Sequence, residues 1–319
     1  MKTFGIICKP EKSRAEPVMR EVLQRLESLG VPFVLDRETA ALVGLQSPHR
    51  REDFPGQVDV LIVLGGDGSM LSVARTTMGL GVPILGVNLG SLGFLTEVTL
   101  DRLFPTLERV HAGDFEIEER PLLAARIRRG EEVVSEDEVL NDVVIHKGAL
   151  ARIIELESYV DGRFVTSYRA DGLIIATPTG STGHSLSAGG PILVPTLPAI
   201  ILNPICPFTL SNRPLVLPDG ATVEVVLTTP NQDVHVTLDG QVGFALQHRD
   251  VVEVRKGAHC VRLIKLREND YFSLLRNKLG WGVQVGEVRE RQASPRRGAS
   301  AAARENGPGG EMGEKEASA

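Results

Sequence analysis

Residues 58–69 read VDVLIVLGGDGS, and the fold can be read outward from them. Val58–Leu64 is an apolar run of strand length, the composition expected of a strand buried on both faces of a parallel sheet. Gly65-Gly66-Asp67-Gly68-Ser69 follows directly, and Ser69–Met78 is predicted to be a helix. A strand-to-helix turn in an open α/β sheet is where ligands bind. Glycines let the backbone come close, and a helix N-terminus favours phosphate. The turn lacks the Lys of a P-loop, and Leu71 breaks a G-x-G-x-x-G spacing. What remains is a carboxylate inside a phosphate-type turn. Phosphate repels Asp67 unless it accepts a proton or approaches a metal; the alternative is that it caps the helix.

On the N-terminal side, Thr3–Cys8 is predicted to be a strand and Arg14–Leu29 a helix, with Val18, Val22, Leu26 and Leu29 on one face and Gly30 as C-terminal cap. Val31–Leu35 and Val82–Val87 are further strands, and the alternation describes an α/β layer. After about residue 115 the apolar period falls to two. Glu136–His146, Ala151–Val160, Arg163–Tyr168, Leu173–Thr177, Ala221–Thr228, Val234–Leu238, Val251–Val254 and Cys260–Lys265 are predicted strands, with a hairpin signal at Asp161-Gly162. The fold class is therefore α/β + β. An α/β domain over 1–110 precedes a mainly antiparallel β domain over 111–267. A segment over 268–285, helical at Tyr271–Leu279, is expected to return to the first domain. Residues 286–319 carry almost no large apolar side chain and are expected to be a disordered tail.

The chain has 319 residues, a length suited to two domains. Its 35 basic and 41 acidic residues give a net charge of −6, which argues against a general nucleic-acid binder. Cys8, Cys206 and Cys260 are far apart and form no C-x-x-C pair, as expected in a reducing cytoplasm. The uncharged runs 76–96 and 172–212 are broken by Gly, Pro and Asn, so no membrane span is expected.

Two further stretches carry chemistry. Asn141-Asp142 places an amide beside a carboxylate, a pair suited to ribose hydroxyls, which donate and accept; a bulge or turn is the other reading. Asp171 to Pro191 runs from a strand into a loop of Thr179, Gly180, Ser181, Thr182, Gly183, His184, Ser185, Leu186, Ser187, Gly189 and Gly190, rich in neutral donors. Gly183 to Ser187 approaches G-x-S-x-G but ends in Ser and has no strand directly before it, which argues against a serine hydrolase.

In this order the three stretches resemble NAD kinase, with Pro204 to Pro207, Ser211 to Pro214 and Leu238-Asp239-Gly240-Gln241 as further similar segments. The resemblance covers roughly residues 3–280. It implies a Rossmann-like N-terminal domain, a C-terminal β domain and a homodimer or homotetramer. It implies transfer of the γ-phosphoryl group of ATP, or of polyphosphate, to the 2′-hydroxyl of the adenosine ribose of NAD, with a divalent cation, Mg²⁺ by expectation. By matching position, Asp67 is the general base, and Gly68, Phe94, Asn141, Asp142, Arg152, Arg169, Asp171, Thr179, Thr182, Gly183, His184, Ser185, Leu186, Ser187 and Gln241 line the NAD site. Asp171 is implied to lie near a neighbouring subunit's site, and the metal ligands are not assigned. The family's usual Ala-Tyr is Gly183-His184 here. Two other classes share some of these features: a lipid or sugar kinase of the same superfamily, and a non-catalytic NAD sensor.

Overall fold

The computed structural model describes residues 2–9, 15–54, 56–90, 93–149, 152–230, 233–267 and 270–281; the predicted tail lies outside them. In chain order the first layer holds β1 (Phe4–Cys8), α1 (Ala15–Ser28), β2 (Phe33–Leu35), α2 (Arg37–Leu42), β3 (Val60–Gly65), α3 (Asp67–Thr77), β4 (Ile84–Asn88), β5 (Val98–Thr99) and α4 (Leu103–Ala112). There follow β6 (Glu116–Arg129), β7 (Glu132–Val139), β8 (Asp142–Lys147), β9 (Ile154–Val160), β10 (Arg163–Ala170), β11 (Gly172–Ala176), α5 (His184–Ser187) and β12 (Ala199–Ile205). The chain continues through β13 (Leu215–Pro218), β14 (Val223–Leu227), β15 (Val234–Leu238), β16 (Val242–Leu246), β17 (Val251–Lys265) and α6 (Tyr271–Leu279).

The first layer is parallel, in the order β2-β1-β3-β4. Every residue of β1, β3 and β4 is buried, because helices cover both faces. One face packs on α1 and α4 through Met19, Leu26, Leu103 and Leu107, the other on α3 through Met70, Val73 and Ala74. Strand order reverses between β1 and β3, so their carboxyl ends leave a crevice there. Lys9 and Gly65 flank it, with the Lys9 N–H on Leu64 O at 3.0 Å.

The same sheet runs on through β17 to β14, β9 and β10, with β6 and β7 joining at β17. A second, antiparallel sheet has the order β13-β12-β11-β8-β15-β16. Val143 and Ile145 of β8 point into the core between the sheets, beside Leu123, Val223 and Val252, while Val144 packs on the opposite face with Ile174 and Leu193.

Three boundaries differ from the sequence expectation. α3 starts at Asp67, two residues early, with Gly66 at the cap position. The run 136–146 is two strands in different sheets, broken at Leu140-Asn141. Val251–Val254 and Cys260–Lys265 are one strand, with an irregularity between Lys256 and Cys260. β6, β12, β13 and β16, with α2 and α4, were not read from the sequence, although the inner half of β6 alternates buried and half-buried residues.

Candidate active site

Asp67 opens α3, so its carboxylate does not cap its own helix. It crosses to the segment after β4, where Oδ2 accepts the Phe94 N–H at 2.8 Å and Oδ1 the Leu95 N–H at 3.0 Å. This close approach requires Gly93: a Cβ there would stand 1.9 Å from Asp67 Oδ1. Each oxygen still has a lone-pair position for another donor. Asn88 and Thr96 brace the segment, Thr96 Oγ1 accepting from Gly93 N at 2.8 Å and from Asn88 Nδ2 at 3.2 Å.

Both ends of α3 are tied to the antiparallel region. At its start, Gln241 Nε2 donates to Gly68 O at 3.3 Å; near its end, Arg75 pairs with Asp137 of β7. The turn with Asp67 is thereby held against the β15–β16 hairpin, whose Asp239 reaches the Asn141-Asp142 corner through the N–H groups of Leu140, Asn141 and Asp142. Asp142 is 5% exposed, and burial, followed by the nearby Asp239 charge, pushes its carboxyl up to about 7. Asn141 Oδ1 is buried with no hydrogen-bond partner.

Strand alternation then lays out a track along one face of the second sheet. Asp142, Val144 and His146 of β8 alternate onto it, and Thr237 and His235 of β15 stand opposite Val144 and His146. The two histidine rings stack at 5.9 Å. The track opens into a pocket of about 420 Å³ lined by Val144, His146, Lys147, Asp171, His184 and Thr237, among others. Lys147 Nζ lies 3.2 Å from Asp171 Oδ1. His184 is held below the usual imidazole value by burial and then by His146.

Over the corner lies the loop after β11. Thr179 is buried and accepts Arg120 Nη1 at 3.2 Å. Gly183 faces Asn141 Nδ2 and Asp142 Oδ2, and Ser185 accepts from buried Asn203. Thr182, Leu186 and Ser187 complete this turn and α5. Arg152 is exposed ahead of β9. Arg169, on β10, stacks on Phe208 with its guanidinium carbon 5.1 Å from the ring centre.

A second pocket, of about 240 Å³, sits at the β1–β3 crevice and is lined by Lys9, Glu38, Arg51, Gly68, Ser69 and Ser72, among others. Ser69 Oγ is buried there without a partner.

The ATP-NAD kinase N-terminal domain model matches residues 4–115, and the C-terminal domain model matches residues 140–266. The chain belongs to the ATP-NAD kinase family. NAD kinase of Geotalea daltonii is 48% identical over 282 residues, which is 88% of this chain and 99% of that relative. NAD kinase of Geobacter metallireducens is 49% identical over 282 residues, with the same coverage. Among solved structures, yeast NADH kinase complexed with NADH superimposes with a TM-score of 0.79 at 26% identity, covering 92% of this chain and 90% of that one. An NAD kinase from Archaeoglobus fulgidus in complex with ATP gives 0.68 at 24% identity, covering 87% and 98%, and supports the shared fold. These matches do not favour the lipid-kinase and sensor readings.

The structure brings Gln241 to Gly68 of the Asp67 turn, and Gly183 to Asn141 and Asp142. The sequence reading gave no role to Arg120, to Thr177 within the Asp171–Pro191 stretch, or to Asp239 within the Leu238–Gln241 segment. Arg120 was hidden because β6 was not read as a strand; Asp239-Gly240 is a hairpin-type dipeptide between two apolar runs, a signal that was there to use.

Proposed function

We propose that the chain phosphorylates NAD with ATP, Asp67 taking the proton of the adenosine-ribose 2′-hydroxyl as its oxygen attacks the γ-phosphorus. A new O–P bond forms, the bond to the β-phosphate oxygen breaks, and ADP leaves. The observation that carries this reading is the Gln241–Gly68 contact, which joins the phosphate-type turn to the ribose-type corner. Phosphoryl transfer needs positioning, charge neutralisation and a base, and these two regions supply them.

We assign the donor phosphates to the β1–β3 crevice, where Lys9, Arg51, Ser69 and Ser72 line the pocket and the N–H groups opening α3 point. NAD would lie along the track from Asn141 and Asp142 toward His184 and Asp171, with Phe94 against its adenine. Thr179, Thr182 and Ser185 to Ser187 overhang it, and Arg152 and Arg169 offset its phosphate charge.

A divalent cation fits as a companion of the donor phosphates. Among the described residues no three His, Cys, Asp or Glu side chains gather to hold a metal. Mg²⁺, however, is commonly held by one or two carboxylates plus substrate phosphates and water. Glu38, which lines the donor pocket, is the acid placed for that, and the cation would neutralise phosphate charge.

A homodimer or homotetramer is supported by the exposed apolar side chains Phe208, Leu210, Leu215 and Val216 around edge strand β13. Cytoplasmic residence is supported by three free cysteines. No helix among the described residues is long and apolar enough to cross a membrane.

Incubation with NAD, MgATP or Mg-polyphosphate, followed by an NADP-specific dehydrogenase, tests the reading. NADP formed in proportion to enzyme is expected. NAD binding without turnover would replace it with the sensor reading, and phosphorylation of diacylglycerol or a sphingoid base instead of NAD with the lipid-kinase reading.

A further inference from the structure

The Leu140–Asp142 corner has six main-chain polar groups, and two residues outside the motif satisfy all six. Asp239 Oδ2 accepts Leu140 N–H at 2.9 Å, and its Oδ1 accepts Asn141 N–H at 2.7 Å and Asp142 N–H at 3.1 Å. Asp239 N–H donates to Asp142 O at 3.0 Å. Thr177 completes the set: its N–H donates to Asn141 O at 2.9 Å, and its hydroxyl to Leu140 O at 2.6 Å. The same hydroxyl accepts Gly180 N–H at 3.0 Å, which ties in the overhanging loop. That loop comes so close that a Cβ on Gly180 would stand 2.1 Å from Asn141 O.

Thr177 is 1% exposed and Asp239 5%, so both are buried. A buried carboxylate costs desolvation, and the turn itself does not demand one. Asp239 and Gly240 have φ of 51° and 64°, a conformation that Asn-Gly adopts as readily. Three converging N–H groups, however, need an acceptor-only side chain; the amide of Asn would turn a donor toward one of them. With the main chain satisfied in this way, Asn141 Oδ1 is left buried and unpartnered.

We propose that Thr177 and Asp239 are positioning residues for the NAD reaction: they hold the corner's main chain so that the Asn141 and Asp142 side chains stay free for the ribose. The inference rests on the proposed placement of NAD at this corner. Neither residue needs to touch the substrate. Both act through the orientation of the pair that does.

Steady-state kinetics with NAD and MgATP varied separately test it, with melting temperatures recorded so that each variant is assayed folded. Thr177→Val keeps the shape and loses the hydroxyl, and should raise the NAD KM about tenfold while the ATP KM stays within about twofold. Thr177→Ser, which keeps the hydroxyl, should restore the NAD KM to within about threefold of wild type. Asp239→Asn should act like Thr177→Val, and it serves if Thr177→Val does not fold, because Asn-Gly preserves the turn. An unchanged NAD KM in a folded variant, equal shifts in both KM values, or failure of Thr177→Ser to rescue would overturn the inference. Asn141→Ala separates this from the underlying reading. If it raises the NAD KM and Thr177→Val does not, only the positioning role falls. If it leaves the NAD KM unchanged, NAD does not bind at the corner and both fall.

Discussion

The molecule has two acidic corners, and they use backbone amides in opposite ways. At the Gly65–Asp67 turn the acid proposed to do chemistry holds the amides itself: Asp67 grips Phe94 and Leu95 of a different segment. At the Leu140–Asp142 corner a third party holds them. Asp239 takes three N–H groups, and the motif's own Asp142 takes none of these. Amides stabilise a carboxylate's charged form, although at Asp239 burial outweighs its three N–H groups and still raises the carboxyl; Asp142 is buried without any such offset. Accordingly, Asp142 is the carboxyl pushed up to about 7, first by burial and then by Asp239. The two acids are thus suited to different tasks: Asp67 is held by two backbone amides beside the phosphate turn, and Asp142 can donate or accept a hydrogen bond near neutral pH.

The strongest way to break the comparison is Asp67→Asn. Loss of the base should lower turnover by about 10²–10⁴-fold. Asn also offers only one acceptor oxygen to two N–H groups, so the Phe94 segment loosens and the NAD KM should rise by several-fold. Retention of more than about a tenth of wild-type turnover would show that Asp67 is only a brace. Gly93→Ala attacks the same grip from the other side. Its methyl group would collide with Asp67 Oδ1, and turnover should fall about 10–100-fold with Asp67 itself intact. Normal turnover in this variant would mean that the grip does not set the base.

Much of this was legible in the sequence, for identifiable reasons. The parallel layer announces itself because strands buried on both faces are apolar throughout, as in 60–64. The glycine turn was legible because close approach needs Gly in number. The break at Leu140-Asn141 was only half legible: Asn141-Asp142 carried a bulge-or-turn reading inside a run taken as one strand, but the residue that fixes the bend, Asp239, lies about a hundred positions away. The double tether of α3 was likewise invisible: Gln241–Gly68 and Arg75–Asp137 each join distant parts of the chain. Of the motif residues, Asp171 and His184 share a pocket with His146, Lys147 and Thr237, which no local pattern marks.

A stability measurement sharpens the corner's half of the comparison. Burial, and then Asp239, push the Asp142 carboxyl from the ordinary 3.8 up to about 7 on folding, so the folded state holds the extra proton between these values. Stability therefore falls as pH rises from about 4 to 7. Asp142→Asn removes that cost and should stabilise the protein by roughly 1–3 kcal/mol at pH 8, and by far less at pH 4, in denaturant titrations. An equal effect at both pH values would show that Asp142 is not held protonated by burial.

The smallest effect is expected at the end of the track. Because burial, and then His146, hold His184 below the usual imidazole value, it should take up a proton only on the acid side of that value. The NAD KM should accordingly be flat above that pH and rise below it, and His184→Tyr should flatten the acid limb. An identical limb in His184→Tyr would remove His184 from the site.

β17 has a consequence for the order in which the protein is made. Its far end pairs with β4 at Leu263 and Ile84 and its near end with β14, while β6 runs along both. The parallel layer is translated first, yet the edge of β4 at Ile84 gains this neighbour only when residue 263 has left the ribosome. At about 5–20 residues per second the interval is roughly ten to thirty-five seconds. For that time the nascent chain carries an apolar strand with an open edge, the geometry that recruits other strands. A chaperone that shields this edge should raise the yield of soluble protein.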